Sequence, residues 1–145
     1  MTVLEPSAGQ GAIAIPLAEL GAAVTCIELA KTNYEALSAK APNLNIIHGD
    51  FLDQTPEPSF DRVIMNPPFG RQSDIKHVNH ALKFLMSGGI LVAVMANSVI
   101  WRENKLTSDF REVVYSSGGT IEKLPDGSFK DSGTMVGTVI VTIPN

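Results

Sequence analysis

Hydrophobic residues in this chain fall into short continuous runs, and amphipathic segments separate them from one end to the other. Runs at about 2–5, 23–28, 44–48, 60–65, 89–95, 119–124 and 136–143 are rich in Val and Ile. Apolar runs of this length predict strands buried on both faces. Segments at about 11–20, 31–40, 74–86 and 108–117 have the spacing of helices. Gly21, Pro42-Asn43, Gly88-Gly89 and Gly118-Gly119 stand where the chain must turn. Regular alternation of strand and helix predicts an α/β fold, a doubly wound, mostly parallel seven-stranded sheet with helices on both faces. The last two strands break the alternation. Only Pro125 to Met135 separates them, too little for a crossover helix, so they are expected to pair antiparallel.

Composition narrows the class without naming the chemistry. With 145 residues, 44% of them apolar and 18% charged, the chain reads as one globular domain over 1–145 and not as a disordered one. Cys26 is the single cysteine, which excludes an internal disulfide, and its place in an apolar strand makes it a small buried hydrophobe. The longest apolar stretch, Gly88 to Ala96, is too short to span a bilayer. No charged segment followed by an apolar one opens the chain, so no membrane association is expected and the cytoplasm is the expected compartment. A net charge of −4 argues against strong autonomous binding to a polyanion. The charge is uneven: residues 1–60 hold two basic and seven acidic side chains, whereas 61–145 hold nine and eight. The second half is the less repulsive towards nucleic acid.

That half carries the most informative feature, Asn66-Pro67-Pro68-Phe69, directly after the run 60–65. In open α/β sheets ligands sit at the carboxyl ends of strands, where these residues are expected. Such a set suits a flat substrate with an NH2 group. The Asn66 side-chain carbonyl and the Pro67 main-chain carbonyl can each accept one amine hydrogen. Proline keeps a fixed φ and brings no N–H near the amine, and Phe69 offers a face for stacking. Acids end three other strands. Glu5 precedes the glycine turn Gly9-Gln10-Gly11, Glu28 lies 17 residues beyond Gly11, and Asp50 follows the third run. Gly9-x-Gly11-x-x-Ala14 also matches a dinucleotide fingerprint, but Glu5 would repel a pyrophosphate there and would attract a cationic ligand. Glu28 can accept from ribose hydroxyls. Asp50 can accept from an adenine amine, with Phe51 and Leu52 covering the ring.

His77 and His80 are three apart on an expected helix, but no third ligand stands near them, so no metal site is expected. Asp74 and His77 either line a substrate mouth or simply begin a helix. Arg71, Lys76 and Lys83 read as solvated charges or as phosphate contacts. Trp101 either packs under a loop or rests on nucleic acid.

Taken together, Glu-Pro-x-x-Gly-x-Gly at 5–11, Glu28, Asp50 and Asn66 to Phe69 resemble the class I S-adenosylmethionine-dependent methyltransferases. More narrowly the chain is similar to amino-methyltransferases of the adenine-N6 DNA type, notably phage- and plasmid-borne ones. Asp74 to Ala81, Phe84-Leu85, Gly88-Gly89, Leu124-Pro125, Phe129-Lys130 and Ser132-Gly133-Thr134 extend the likeness over essentially the whole chain. The resemblance implies a Rossmann-like sheet with an antiparallel last strand and S-adenosyl-L-methionine as cofactor. It also implies roles. Glu5, Pro6, Ala8, Gly9 and Gly11 would cradle the methionyl portion of the cofactor, Glu28 and Leu29 the ribose, and Asp50 with Phe51 the adenine. Asn66, Pro67, Pro68 and Phe69 would form the catalytic motif, with Asn66 also bordering the cofactor. DNA is the implied substrate. RNA bases and protein glutamine are the alternatives, because relatives with the same motif act on them. The expected domain lacks the upstream helix that closes over the cofactor and lacks a target-recognition region. A partner chain supplying recognition, or a partner-dependent subunit, follows as a further expectation.

Overall fold

The apolar runs pair into one sheet. The computed structural model describes residues 1–125 and 137–145. Its strands are β1 (Thr2–Glu5), β2 (Ala23–Glu28), β3 (Asn45–His48), β4 (Phe60–Met65), β5 (Leu85–Ala96), β6 (Thr120–Lys123) and β7 (Thr138–Pro144). They lie in the order β3-β2-β1-β4-β5-β7-β6. Pairings from β3 through β5 are parallel, and β7 runs antiparallel to both β5 and β6. The expected antiparallel pairing of the last two strands is therefore present, with β7 inserted between β5 and β6. Part of the stretch that carried the late resemblance, Phe129-Lys130 and Ser132-Gly133-Thr134, lies outside the described residues.

Helices α1 (Ala14–Glu19), α2 (Lys31–Lys40), α3 (Ser73–Ala81), α4 (Ser98–Trp101) and α5 (Lys105–Ser116) join the strands. Alternate strand residues point to opposite faces, and each face has its own core. On one side Val3, Val24 and Cys26 pack with Ala14 and Leu37 from α1 and α2. On the other, Leu4, Ile27, Val63, Leu91 and Val141 pack with Ile75 and Val78 of α3 and Phe110 and Val114 of α5. The sheet is thus doubly wound, as the alternation predicts.

Three boundaries differ from the sequence reading, each for a tertiary reason. Helix α1 begins at Ala14 and not at 11, because Gly11 takes φ +95° and ends the glycine turn there. The helix expected over 74–86 stops at Ala81 and passes through a short 3₁₀ turn. Leu85 is drawn into β5 instead, where it pairs with Phe60 at 2% exposure. Helix α5 starts three residues earlier than predicted, at Lys105, because Asn104 caps it by accepting from the Thr107 N–H at 2.9 Å.

The chain runs outward from β1 to β3 and then returns to lay β4 against the other side of β1. This reversal makes the crevice beyond the carboxyl ends of β1 and β4 the topological switch point, where open α/β sheets bind ligands.

Candidate active site

Beyond the carboxyl end of β1 lies an acid the protein does not neutralise. Glu5 is only 2% exposed. A carboxylate removed from water without a counter-charge holds its proton more tightly. Burial pushes the Glu5 carboxyl up to about 8, the Ala14 backbone N–H draws it back in part, and the neighbouring Glu28 carboxylate pushes it up further. Its Oε2 is buried without a hydrogen-bond partner among the described residues. Leaving a buried polar atom unpaired costs about 1–3 kcal/mol, and a cationic N–H donor is the group that would satisfy it.

The glycine turn beside Glu5 is tied back to β2. Ala8 N–H donates to the Ile27 carbonyl at 3.1 Å and Gly11 N–H to the Ala8 carbonyl at 3.0 Å. Gly9 and Gly11 both have positive φ, +57° and +95°, a region glycine enters without steric cost. Their surroundings differ. A Cβ on Gly11 would come within 2.6 Å of Leu37 Cδ1 and 2.7 Å of Ile15 Cδ1, so this glycine lets α1 pack on α2. A Cβ on Gly9 meets nothing within 4 Å. Gly9 therefore leaves the backbone approachable, whereas Pro6 and Ala8 are buried beneath the turn.

Glu28 ends β2 at 8% exposure, and its carbonyl accepts from Gly49 N–H at 3.0 Å, which holds the loop after β3 against it. Leu29 follows at 66% exposure. Asp50 Oδ1 accepts from Leu52 N–H at 2.9 Å and caps the 3₁₀ turn Phe51–Asp53. Phe51 departs from the expectation. Its ring is 2% exposed and lies against Phe84, His77 and His80, with His80 meeting it edge-on at a centroid distance of 4.8 Å. It buttresses the loop from within the core and offers no open face to cover a ring. Leu52, at 40% exposure, is the apolar side chain left on the outside.

Asn66 follows β4 directly, half-buried, and among the described residues its amide has no hydrogen-bond partner. Pro67 is buried, Pro68 exposed and Phe69 half-buried. The chain then makes a turn that sequence reasoning did not anticipate. Arg71 and Gln72 take φ of +55° and +59°, consecutive left-handed residues that are not glycine. Conformations of this kind cost on the order of 1–3 kcal/mol each and persist only where neighbours enforce them. The Gln72 carboxamide supplies the enforcement. Its Nε2 donates to Thr107 Oγ1 at 2.6 Å, and its Oε1 accepts from Asn104 Nδ2 at 2.9 Å. The loop after β4 is thereby pinned to the start of α5. Asn104 also caps α5, a role that the expected helix start at 108 did not foresee.

Asp74 has a structural role as well. At 2% exposure it accepts from Ala96 N–H and from Ile75 N–H, each at 3.0 Å, and so joins the start of α3 to the end of β5. Burial pushes its carboxyl up, while those N–H groups and Arg102 pull it back. Asp74→Ala would strand the Ala96 N–H, so a destabilisation of about 1.5–3 kcal/mol is expected, read from the urea midpoint. A midpoint equal to that of the unaltered protein would remove Asp74 from this role.

His77 lies on the Phe51 side and not at the mouth of the cleft described next. Its ring is driven towards neutrality chiefly by burial, opposed by the Asp50 carboxylate, and its Nδ1 is buried without a partner. His80 Nε2 lies 3.0 Å from the Gln54 carbonyl. No group of three or more His, Cys, Asp or Glu comes together among the described residues.

Between the 66–72 loop and the residues after β5 opens a cleft of about 410 Å³ lined by Phe69, Arg71, Ile75, Asn97, Trp101 and Arg102 among others. A larger cavity of about 680 Å³ lies at the opposite ends of the strands, against Thr2, Ala23 and Asn45. Size does not make it the site: the strand-end acids and the amide stand at the carboxyl end, around the switch point. Trp101 is 59% exposed, so it does not pack under a loop. No helix among the described residues is long and apolar enough to cross a membrane.

A family model described as Methyltransferase small domain matches residues 1–119. No curated protein matches the sequence. Among solved structures, one described as a class I S-adenosylmethionine-dependent methyltransferase of Listeria monocytogenes superposes with a TM-score of 0.80 at 15% identity, over 99% of this chain and 53% of its own. A modification subunit described as belonging to a type I restriction enzyme of Vibrio vulnificus gives 0.80 at 14% identity, over 99% and 40%. The TYW2 protein of M. jannaschii, crystallised with AdoMet, gives 0.70 at 21% identity, over 99% and 67%. At these identities the likeness is one of fold, and this chain spans about half the length of the first two or less.

Proposed function

The chain belongs to the methyltransferase small domain family, and on that premise we propose that it transfers a methyl group from S-adenosylmethionine to an exocyclic amine, with adenine N6 in DNA as the leading substrate. One observation carries the reading. An amide with no partner among the described residues, Asn66, directly follows β4 beside β1, whose last residue is the buried acid Glu5 with an unpaired oxygen. A cation-seeking acid and an amine-seeking carbonyl thus flank one switch point.

The residues fit the cofactor. Glu5 has a buried oxygen for its ammonium, and the open backbone at Gly9 admits the methionyl portion, with Pro6, Ala8 and Gly11 shaping the turn. Glu28 and the exposed Leu29 would border the ribose. Asp50 would accept from the adenine amine while Leu52 covers the ring and Phe51 supports the loop beneath. When bound, S-adenosylmethionine supplies a methyl group on a sulfonium, already activated towards a nucleophile.

The chain's own work is alignment. An aryl amine is a poor nucleophile because its lone pair is delocalised into the ring. Asn66 and the Pro67 carbonyl, each accepting one amine hydrogen, favour a more tetrahedral nitrogen and expose that lone pair. As the N–C bond formed and the C–S bond broke, a neutral thioether would leave and the nitrogen would take over the positive charge; its extra proton would then pass to water, so no base need act first. Phe69 would stack on the target base, which must be flipped out or single-stranded to reach this position. The more basic second half of the chain and the fold shared with a restriction-enzyme modification subunit support a nucleic-acid substrate. A partner chain would supply target recognition.

The test is transfer of labelled methyl from S-adenosylmethionine to unmethylated DNA, RNA and protein. Label recovered as N6-methyldeoxyadenosine supports the reading. Label in RNA or on protein glutamine would replace the substrate and keep the chemistry. Cofactor binding without transfer to any acceptor would instead favour a partner-dependent subunit.

A further inference from the structure

Four side chains line one cleft: Phe69, Arg71, Trp101 and Arg102. Trp101 ends α4, a helix of four residues whose buried side chain is Val99. The indole is 59% exposed, and the Arg102 guanidinium lies over it at 5.8 Å from the ring centroid. Arg71 is exposed and makes neither hydrogen bond nor ion pair among the described residues. Gln72 holds the backbone there in its left-handed turn. Asp74 is the acid among the residues lining this cleft, and it is spent on the Ala96 and Ile75 N–H groups beneath it.

We propose that this cleft binds the nucleic-acid strand beside the target base, with Trp101 stacking on a neighbouring base and Arg71 and Arg102 meeting its phosphates. The proposal rests on the reading of Asn66 to Phe69 as the amine site. Two guanidiniums beside an exposed indole match a polyanion that also carries flat rings. A neutral peptide would leave both charges unanswered. Phe69 and Trp101 lie on the same cleft, so a base seated on Phe69 brings its neighbour to the indole. The 32-residue link from Gln72 to Asn104 keeps the two sides in register.

Trp101 is the single tryptophan of the chain, so its fluorescence reports on this position alone. Titration with a short adenine-containing single-stranded DNA is expected to quench it to saturation. An abasic strand of equal length should bind more weakly and quench little. In Trp101→Leu the dissociation constant, measured by anisotropy of a labelled strand, is expected to rise roughly 5- to 150-fold. Arg71→Ala and Arg102→Ala should each reduce the slope of log affinity against log salt by about 0.7. Binding seen by anisotropy, with tryptophan fluorescence and the Trp101→Leu constant both unchanged, would overturn this proposal and leave the methyl-transfer reading standing. Absence of binding by both readouts, with label transferred to protein, would overturn this proposal together with the nucleic-acid substrate, while methyl transfer itself would stand.

Discussion

Asn66→Ala is expected to lower methyl transfer by roughly a hundred- to a thousand-fold, the range for losing one preorganised hydrogen-bonding group at a reacting centre. The dissociation constant for S-adenosylmethionine should be largely unchanged. The split follows from where Asn66 sits. It begins the loop after β4, half-buried, with no protein partner among the described residues, so alanine breaks no bond that holds the fold. On the proposed reading, what alanine removes is an acceptor for the substrate amine. Pro67 keeps its carbonyl and the loop its shape, which leaves the amine with one acceptor of two. Single-turnover transfer of labelled methyl measures the chemistry, and calorimetry measures cofactor binding. Turnover close to that of the unaltered protein would sink the assignment of this residue.

Glu5→Gln is expected to change both stability and ligand binding, and to change them with pH. The unfolded carboxyl ionises near 4.5, whereas the folded one holds its proton up to about 8. Between those values the native state binds more protons than the unfolded chain, so the contribution of Glu5 to stability falls as pH rises through the window. Below 4.5 the penalty is absent, and above about 8 it is complete, on the order of several kcal/mol. Glutamine cannot ionise, so the variant should gain on the unaltered protein as pH goes from 5 to 9, compared by urea midpoints at each pH. The ligand effect has the opposite sign. A cation stabilises the ionised form, so affinity for S-adenosylmethionine should rise with pH by up to about tenfold per unit until about pH 8. In Glu5→Gln affinity should be lower and this dependence lost. A pH-independent affinity in the unaltered protein would mean that Glu5 does not meet the cation.

The placement of the candidate residues at the strand ends could be read from residue order. Glu5, Glu28 and Asn66 end their strands or follow them directly, because a polar residue after an apolar run marks the point where a buried strand meets solvent. Antiparallel pairing of the last strands followed from loop length alone. Phe51 was misread because an aromatic ring beside an acid suits a ligand and a core equally well. Its burial is decided by Phe84 and the α3 histidines, which come from elsewhere in the chain.

By itself the sequence determined the alternation of elements and the polar residues that end or follow the strands, since both depend on residues close together in the chain. Tertiary structure decided what those residues experience. It set β4 beside β1, so that Asn66 and Glu5 flank one crevice. It buried Glu5, with Glu28 nearby, and thereby pushed an ordinary carboxyl up to about 8. It pinned a left-handed turn at Arg71 and Gln72 through Asn104 and Thr107, 32 and 35 residues away from Gln72. Desolvation and long-range hydrogen bonds come from neighbours that only folding brings together, and a pattern along the chain carries no record of them.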